Sequence, residues 1–393
     1  MKKNIVIVGG GTGGLSVMRN LHRKRKDVQL TIVEPSEKHY YQPLWTLVGA
    51  GILPFEKSVR NFKDYIPSDV RWVKDKVAQF QPESNQLISE GGETFSYDYL
   101  VVAAGIQLDW NKVEGLAENL GKNGVCSNYS KDHVNYTWEV MNHIRGGRAL
   151  FTFPNTPIKC AGAPQKVMYL AEETFRNNKI RERVEVKFIS AGTSIFGIAK
   201  YRAFLEKLVL KRNINTLFQH NLIKIDGVKK IATFKNVETG AELEEAFDML
   251  HVTPPMSAPE FIKKSPLAND AGWVDVDRFT TRHNRFSNIF SIGDASSLPN
   301  SKTGAAIRKQ GPVLVSHLLA DIDQKKSNQK YDGYASCPLV TSRSTCVLAE
   351  FDYDGNPAET FPFNQAKERY SMYLLKKIFI PFMYWNLMMR GYF

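Results

Sequence analysis

The stretch "NIVIVGGGTGGLSVMRNLHRK", residues 4–24, decides the fold. Residues 5–8 are a continuous run of β-branched apolar residues, which is typical of a buried parallel strand. Gly9, Gly11 and Gly14 then follow with G-x-G-x-x-G spacing, and a helical pattern begins after them. In this spacing the first glycine allows a tight turn, the second a close approach to pyrophosphate, and the third close helix–strand packing. The stretch therefore predicts the phosphate-binding end of a dinucleotide domain.

A second strand completes this βαβ unit. The segment "VQLTIVEP", residues 28–35, brings Glu34 to the end of that strand. A carboxylate about twenty residues after the last glycine accepts hydrogen bonds from an adenosine ribose. The helix N-terminus supplies free N–H donors for phosphate. An accidental glycine turn is the alternative, but strand, loop, helix and acid together favour a bound dinucleotide.

Two later stretches favour FAD as that dinucleotide. The segment "SYDYLVVAAG" ends at Gly105, and "FSNIFSIGDAS", residues 286–296, contains Gly293 and Asp294. In flavoproteins with two dinucleotide domains, the first such strand returns the chain to the FAD domain and the second brings an Asp to the ribityl chain. This interpretation rests on resemblance to that superfamily, and a helix N-cap is the other interpretation of Asp294.

A second Rossmann-like unit is predicted at "VEVKFISAGTSIFGIAKYRAFLE", residues 184–206. Its strand and helix are present, but the segment from Ala191 to Gly197 lacks the G-x-G pair. Side chains at those positions would crowd a pyrophosphate. We therefore expect a degenerate nicotinamide site and a reductant other than NAD(P)H.

The four cysteines offer a candidate reductant. Cys126, Cys160, Cys337 and Cys346 form neither a C-x-x-C motif nor a zinc spacing, so no metal site is predicted. Cys160 lies where a strand-like run gives way to a helical one, and Lys166 nearby favours a thiolate. Cys337 is expected in a loop before the strand "CVLAEFDY". Two thiols beside a flavin can pass it two electrons and form a disulfide, although a small buried hydrophobe is the commoner role of cysteine. The sequence leaves open whether the two meet.

Composition narrows the class of protein. The chain has 393 residues, a net charge of +12 and 43% hydrophobic residues, which suits two or three globular domains of roughly 150 residues each. The positive charge suits anionic ligands or an anionic membrane surface. No run of lysine and arginine reaches five residues, so nucleic acid is not an expected partner.

The C-terminal stretch "RYSMYLLKKIFIPFMYWNLMMRGYF", residues 369–393, has a different composition from the rest. It is rich in aromatic residues, methionine and leucine, with Lys376, Lys377 and Arg390 between them. Pro381 predicts a break into two short helices, too short to span a bilayer but suited to lie in its interface with the basic groups toward lipid. A core or dimer helix pair is the alternative. A quinone is the simplest electron acceptor there, with its predicted entry near Phe379, Phe382, Tyr384 and Trp385.

Seven longer stretches extend this interpretation to a family. They are "EPSEKHYYQPLWTLVGAG", "FTFPNTPIKCAGAPQKVMYL", "MLHVTPPMSAPE", "AGWVDVD", "IGDASSLPNSKTGAA", "KYDGYASCPLV" and "LAEFDY". Nearly end to end, the chain resembles sulfide:quinone oxidoreductases of the type close to the mitochondrial enzyme. The resemblance implies an α/β fold with two Rossmann-like domains, the second degenerate for NAD, and a C-terminal membrane-associating segment. The expected division is an FAD domain at 1–110 and 276–335, the second domain at 111–275, and the C-terminal region at 336–393.

The resemblance also implies the chemistry. Hydrogen sulfide is oxidised and two electrons pass through FAD to ubiquinone or a related quinone. Cys160 and Cys337 form the redox pair, bridged at rest as a disulfide or trisulfide; Cys337 carries the persulfide and Cys160 becomes the thiolate facing the flavin. A small acceptor, which is sulfite, glutathione, coenzyme A or sulfide, takes the sulfur. Cys126 and Cys346 are expected to be structural. The implied FAD contacts are Gly9, Gly11, Thr12, Gly13, Gly14, Glu34, Gln42, Val77, Gly105, Asp294 and Lys302.

Two other functions stay open from the sequence. One is a quinone-reducing flavoenzyme without thiol chemistry, such as a type II NADH dehydrogenase, which the degenerate nicotinamide loop disfavours. The other is a protein that binds flavin and persulfide without turnover, which the C-terminal stretch disfavours. Because no signal or transit peptide is evident, we expect a peripheral protein on the cytoplasmic face of a bacterial inner membrane. The oligomeric state stays open, and a homo-oligomer is among the possibilities.

Overall fold

The computed structural model describes residues 2–392. Its strands are β1 (Lys3–Val8), β2 (Val28–Val33), β3 (Lys38–Tyr40), β4 (Val59–Asn61), β5 (Arg71–Val73), β6 (Val77–Gln81), β7 (Gln86–Ser89), β8 (Thr94–Ser96), β9 (Tyr99–Val102), β10 (Gln107–Leu108), β11 (Val125–Cys126), β12 (Gly147–Phe153), β13 (Val184–Ser190), β14 (Asn215–Leu217), β15 (His220–Asp226), β16 (Ile231–Asn236), β17 (Glu242–Ala246), β18 (Met249–His251), β19 (Met256–Ser257), β20 (Ile289–Ser291), β21 (Ala335–Val340) and β22 (Cys346–Phe351). Its α-helices are α1 (Thr12–Lys24), α2 (Trp45–Val48), α3 (Leu116–Asn119), α4 (Val134–His143), α5 (Ala163–Asn177), α6 (Ala199–Lys211), α7 (Glu260–Lys263), α8 (Gly304–Ile322), α9 (Tyr370–Leu374) and α10 (Ile380–Asn386). Met1 and Phe393, the outermost residues of the predicted division, lie outside the described residues.

The first parallel sheet has the strand order β20-β9-β1-β2-β5. Ile5 of the central strand β1 lies opposite Leu30 of β2 on one side and Tyr99 of β9 on the other. Both faces of β1 are covered, and Ile5 and Ile7 have no exposed surface. Because parallel strands end at the same edge, the glycine loop after β1 lies beside the ends of β9 and β20. This edge of the sheet is where an open α/β fold binds its ligand.

The second parallel sheet has the order β11-β18-β12-β13-β14. The helix α5 follows β12 and α6 follows β13. Two three-stranded sheets, β6-β7-β8 and β15-β16-β17, are antiparallel. The predicted α/β architecture with parallel sheets is therefore confirmed.

Cys337 lies on a strand and not in the predicted loop. It belongs to β21, which pairs antiparallel with β22, so that Cys337 is opposite Ala349. Pro338, next to it, is tolerated because β21 has a partner on one side alone in this two-stranded sheet. The prediction failed because the Gly-Tyr-Ala-Ser residues before Cys337 suggest a loop.

Residues 370–392, called the C-terminal tail below, form one helical path from α9 through a π-helical turn at Leu375–Phe379 into α10. The predicted break at Pro381 is wrong. Pro381 lies in the first turn of α10, directly after the π turn, where its missing N–H and fixed φ are tolerated. Among residues 2–392, no helix combines the length and apolarity needed to cross a bilayer.

The C-terminal tail packs on α1, the helix that follows the glycine loop. Met388 and Met389 are buried, and the guanidinium of Arg23 lies 3.8 Å from the ring centre of Tyr392. A Cβ on Gly391 would lie 2.6 Å from the carbonyl oxygen of Arg19, so backbone meets backbone there. The tail is thus built onto the first parallel sheet and its helix.

Candidate active site

A single cavity of about 580 Å³ connects the glycine loop with the C-terminal tail. It runs along the carboxyl edge of the first sheet and past Cys160 to the tail residues Lys376 and Tyr384. The predicted cofactor contacts that line it are Gly9, Gly11, Thr12, Gly13, Glu34, Gln42, Gly105, Asp294 and Lys302.

Two predicted cofactor contacts do not line the cavity. Gly14 lies behind the loop, where a Cβ would overlap the carbonyl oxygen of Gly9. Its role is the close packing of α1 against β1, as its place in the motif predicts. Val77 begins β6 with its side chain buried in the core, so that side chain does not reach the cavity.

The glycine loop fits the ADP half of FAD. Gly9 has a φ of +96°, which favours glycine, and a Cβ on Gly11 would meet no protein atom within 4 Å. The space in front of Gly11 is therefore open for a pyrophosphate, and α1 begins at Thr12 with its first amides near it. Glu34 accepts hydrogen bonds from the N–H groups of Gly10, at 2.6 Å, and Ser36, at 2.7 Å. Burial raises the pKa of Glu34, while these two hydrogen bonds oppose the shift.

The middle of the cavity carries two lysines. The Lys302 ammonium donates to the carbonyl oxygens of Asp294, at 2.7 Å, and Ser296, at 3.1 Å. Burial lowers the pKa of Lys302 to about 8, and Asp294 opposes the shift. Burial also lowers the pKa of Lys159 to about 8, and its ammonium lies 2.5 Å from Oε1 of Gln42. A cation here can stabilise negative charge on a reduced flavin ring.

Cys160 and Cys337 meet at the cavity wall. Their Sγ atoms are 3.7 Å apart although 177 residues separate them in sequence. Cys160 lies between β12 and α5 in the left-handed region, with φ +56°, and its N–H donates to the carbonyl of Lys302 at 2.9 Å. A Cβ on Gly162 would come within 2.5 Å of the Cys337 sulfur. Glycine at 162 therefore permits the close approach of the two thiols.

The two thiols are electrostatically unequal. The hydrogen bond from the Cys337 thiol lowers the pKa of Cys160 well below its usual range, and the Lys166 ammonium, 3.2 Å from that sulfur, lowers it further against the effect of burial. The same hydrogen bond, together with burial, raises the pKa of Cys337. Cys160 lines the cavity, whereas Cys337 is 1% exposed. The arrangement therefore favours a thiolate at Cys160 and a thiol at Cys337.

Lys376 is a site residue that the sequence placed wrongly. It was expected to face lipid, but its side chain is buried and its ammonium donates to the carbonyl of Pro43 at 3.0 Å. Burial lowers its pKa to about 8, and the positive charge of Lys166 adds to the shift. The π-helical turn that carries Lys376 turns it inward, and no sequence signal indicated that turn.

The other cysteines take no part in the thiol pair. Burial raises the pKa of both Cys126 and Cys346 to about 12. Cys346 lies on β22 opposite Val340, and its thiol lies 3.6 Å from the carbonyl oxygen of Val347. Of the two cysteines in this hairpin, Cys337 is the one that faces Cys160.

The loop after β13 differs from the glycine loop in geometry as well as in sequence. In the first domain β1 ends at Val8 and α1 begins at Thr12, whereas β13 ends at Ser190 and α6 begins only at Ala199. The N–H of Gly192 is bonded to the hydroxyl of Ser190, at 3.1 Å, and Ala191 is buried. The helix terminus is thus set back from the strand end, which does not suit a dinucleotide pyrophosphate.

This fold and site define a two-dinucleotide-domain flavoprotein of the disulfide oxidoreductase class, and the pyridine nucleotide-disulphide oxidoreductase family model matches residues 3–136. The mitochondrial sulfide:quinone oxidoreductase of Mus musculus is 46% identical, over 99% of this chain and 86% of that protein. The mitochondrial sulfide:quinone oxidoreductase of Dictyostelium discoideum is 48% identical, over 98% of this chain and 86% of that protein. The solved structure of the sulfide:quinone oxidoreductase from Aquifex aeolicus is 20% identical with a TM-score of 0.86, covering 99% of this chain and 92% of that one.

The chain belongs to the sulfide:quinone oxidoreductase family. It is a flavin-dependent oxidoreductase, and its cofactor is FAD. The predicted location on the cytoplasmic face of a bacterial membrane is wrong, because the mouse and Dictyostelium relatives are named as mitochondrial proteins. The prediction had rested on the absence of a leader pattern, which says nothing about a relationship carried by the rest of the chain.

Proposed function

We propose that this protein oxidises hydrogen sulfide at the Cys160–Cys337 pair and passes two electrons through FAD to a membrane quinone. The observation that carries the proposal is the approach of the two sulfurs to 3.7 Å, with Cys160 on the wall of a cavity that reaches both the glycine loop and the C-terminal tail. The names of the relatives, which act on sulfide and quinone, support the same reaction.

The lowered pKa of Cys160 and the raised pKa of Cys337 decide which sulfur is attacked and which one leaves. With the pair oxidised, hydrosulfide attacks the sulfur of Cys337, a new S–S bond forms there and the bond to Cys160 breaks. Cys160 leaves with the electron pair of that bond as a thiolate, which the Lys166 ammonium stabilises. The sulfide sulfur is thereby oxidised to the sulfane sulfur of a Cys337 persulfide.

Turnover requires that both sulfur and electrons leave the pair. A nucleophilic acceptor, such as sulfite or a thiolate, attacks the outer sulfur of the persulfide, breaks its bond to Cys337 and leaves that cysteine as a thiol. Cys160 and Cys337 then release two electrons and their remaining proton and form the bridge again. FAD, when bound, accepts such an electron pair and returns it to a quinone.

Other residues of the cavity serve the binding of FAD and the access of the quinone. The glycine loop and Glu34 hold the ADP half of FAD, and Lys302 lies where it can stabilise negative charge on the reduced ring.

The C-terminal tail meets the membrane through Ile378, Phe379 and Phe382, each more than half exposed. Phe379 also lines the cavity, which offers a quinone a route from lipid. The names of the mouse and Dictyostelium relatives support action in a mitochondrion.

An anaerobic titration tests this function. Sulfide should bleach the flavin absorbance and a short-chain quinone should restore it. Cys160→Ser and Cys337→Ser should each abolish the bleaching, whereas Cys126→Ser, a buried cysteine away from the pair, should keep it. Bleaching by NADH with no effect of either pair variant would instead show an NADH:quinone oxidoreductase. Sulfide uptake without any quinone-dependent recovery would show a binding protein.

A further inference from the structure

A buried chain of hydrogen bonds joins the C-terminal tail to the glycine loop. Tyr384, in α10, has its hydroxyl 2.8 Å from Oγ1 of Thr12 and 2.6 Å from Nε2 of His39. Nδ1 of His39 lies 3.1 Å from the carbonyl oxygen of Gly10. His39 is 4% exposed and Tyr384 5%, so water does not compete for these contacts.

The direction of each hydrogen bond follows from the carbonyl at its end. The oxygen of Gly10 can only accept, so Nδ1 of His39 carries the hydrogen. Burial lowers the pKa of His39 to about 4, which leaves the ring neutral and Nε2 free to accept from the Tyr384 hydroxyl. The oxygen of Tyr384 then accepts from the Thr12 hydroxyl. When the tail is docked, the Thr12 hydroxyl, the Tyr384 hydroxyl and both ring nitrogens of His39 each have a hydrogen-bond partner.

The backbone N–H and the backbone carbonyl of Gly10 both form hydrogen bonds in this arrangement. Its N–H donates to Glu34 at 2.6 Å, and its carbonyl accepts from His39. The peptide groups around Gly10 are therefore held from two directions, and one of them depends on Tyr384. Since Thr12 and Gly10 both line the cavity, the tail supports the cradle that receives the pyrophosphate.

Aromatic packing encloses the chain of hydrogen bonds. The ring of Tyr384 stacks on Tyr41 with centroids 4.0 Å apart, and Trp385 meets His39 edge-on at 5.6 Å. The guanidinium of Arg60 lies 5.0 Å from the ring centre of Trp385. These contacts bury Tyr384 and Trp385, two of the four aromatic residues near which the sequence predicted the quinone entry.

We propose that Tyr384 and His39 are positioning residues for FAD: they hold Thr12 and Gly10 in the binding conformation, so that tail docking and FAD binding stabilise each other. The coupling is reciprocal, since a ligand that prefers the docked state must favour docking by the same factor. The inference needs FAD as cofactor but does not depend on the sulfide chemistry.

The first test is FAD affinity of the full chain with Tyr384→Phe, which keeps the aromatic packing and removes the hydroxyl. Titration of the apoprotein, followed by flavin fluorescence, should show about tenfold weaker binding, because buried His39 loses its donor. Tyr373→Phe is the matched control: it lies in the same tail, is also buried, and its hydroxyl has no hydrogen-bond partner among residues 2–392. The control should bind FAD within about twofold of the unmodified chain, since its removal breaks no hydrogen bond to the glycine loop or to any other described residue.

The second test measures the reciprocal effect. Hydrogen exchange of backbone amides in residues 370–392 should slow when FAD binds, and this slowing should shrink in Tyr384→Phe but persist in Tyr373→Phe. The proposal would be overturned by equal FAD affinity in both variants. It would also be overturned if FAD did not change the hydrogen exchange of the tail amides. If Tyr384→Phe only lowers the melting temperature while FAD affinity stays unchanged, its role is purely structural and the proposal also fails. Sulfide bleaching in that variant would leave the proposed function intact.

Discussion

The ammonium of Lys166 lies 3.2 Å from the sulfur of Cys160, and the two residues are six positions apart at the start of one helix. Lys166 belongs to the first turns of α5, which begins at Ala163. Cys160 precedes the helix in the left-handed conformation, which turns its sulfur toward both the lysine and the cavity. One short segment therefore supplies the thiolate and the cation that stabilises it.

Removing that cation should raise the pKa of Cys160. In Lys166→Met, the alkylation of Cys160 by iodoacetamide should need a higher pH, because the loss of an adjacent positive charge disfavours the thiolate. The thiolate exists above its pKa, so the reaction at pH 7 should slow and should recover in alkali. Peptide mass analysis of the reduced protein reads out the rate. Lys200→Met, which removes a lysine paired with Glu359, is the control and should match the unmodified chain.

A methyl group at Gly162 should separate the thiols. Its Cβ would lie within 2.5 Å of the Cys337 sulfur and would also overlap Leu339 on the same strand. Because bridge formation depends on sulfur geometry, Gly162→Ala should slow oxidation of the pair at least about tenfold. Thiol counting after a mild oxidant measures this. Gly197→Ala, where a Cβ meets nothing within 4 Å, should oxidise normally. An unchanged oxidation rate in Gly162→Ala would mean that β21 shifts to accommodate the methyl group without moving the two thiols apart.

Acid should release FAD through Glu34. Burial raises the pKa of this carboxyl, so its charge is lost at a higher pH than in an exposed glutamate. FAD affinity should therefore fall as the pH decreases through that raised value. Glu34→Gln should bind FAD about tenfold or more weakly near pH 7, since its amide oxygen can accept from only one of the N–H groups of Gly10 and Ser36 while its NH2 group faces the other, and its affinity should hardly change with pH. Glu37→Gln, at an exposed carboxyl paired with Lys74, is the control for the apoprotein titration.

The exposed face of the C-terminal tail should hold the protein to lipid. Changing Ile378, Phe379 and Phe382 together to serine should weaken binding to anionic vesicles roughly 100-fold, at about 1 kcal/mol for each half-buried apolar side chain. Vesicle sedimentation measures the partition. The control changes Leu210 and Val228, which are 79% and 88% exposed elsewhere, to serine. Equal losses in both variants would indicate nonspecific adhesion by surface hydrophobes.

The sequence was most informative where function depends on neighbours in the chain. Gly9, Gly11 and Glu34 belong to one βαβ unit, whose spacing alone brings them to one edge of a sheet. Cys160 and Cys337 lie on different elements, so no local pattern could bring them together, and only resemblance paired them. Val77, which resemblance alone named as a cofactor contact, stays a prediction, and its side chain packs in the core.

The tail was predicted less well because composition does not set the rotation of a helix. Nearly every face of residues 370–392 is apolar or aromatic, so there was no polar face to orient it. The π turn at Leu375–Phe379 adds a residue to one turn and changes which side chains share a face, and Lys376 points inward as a result. Tyr384 and Trp385 are buried for the same reason.

The bond between Thr12 and Tyr384 has a consequence for the making of the protein. Its two ends are separated by 372 residues, so a ribosome must add all of those residues after Thr12 before the contact can form. A nascent chain that carries the complete glycine loop still lacks its support. If the tail supports FAD binding as proposed, we expect stable flavin loading only once Tyr384 has been synthesised, and we expect a chain truncated before Tyr384 to retain FAD poorly.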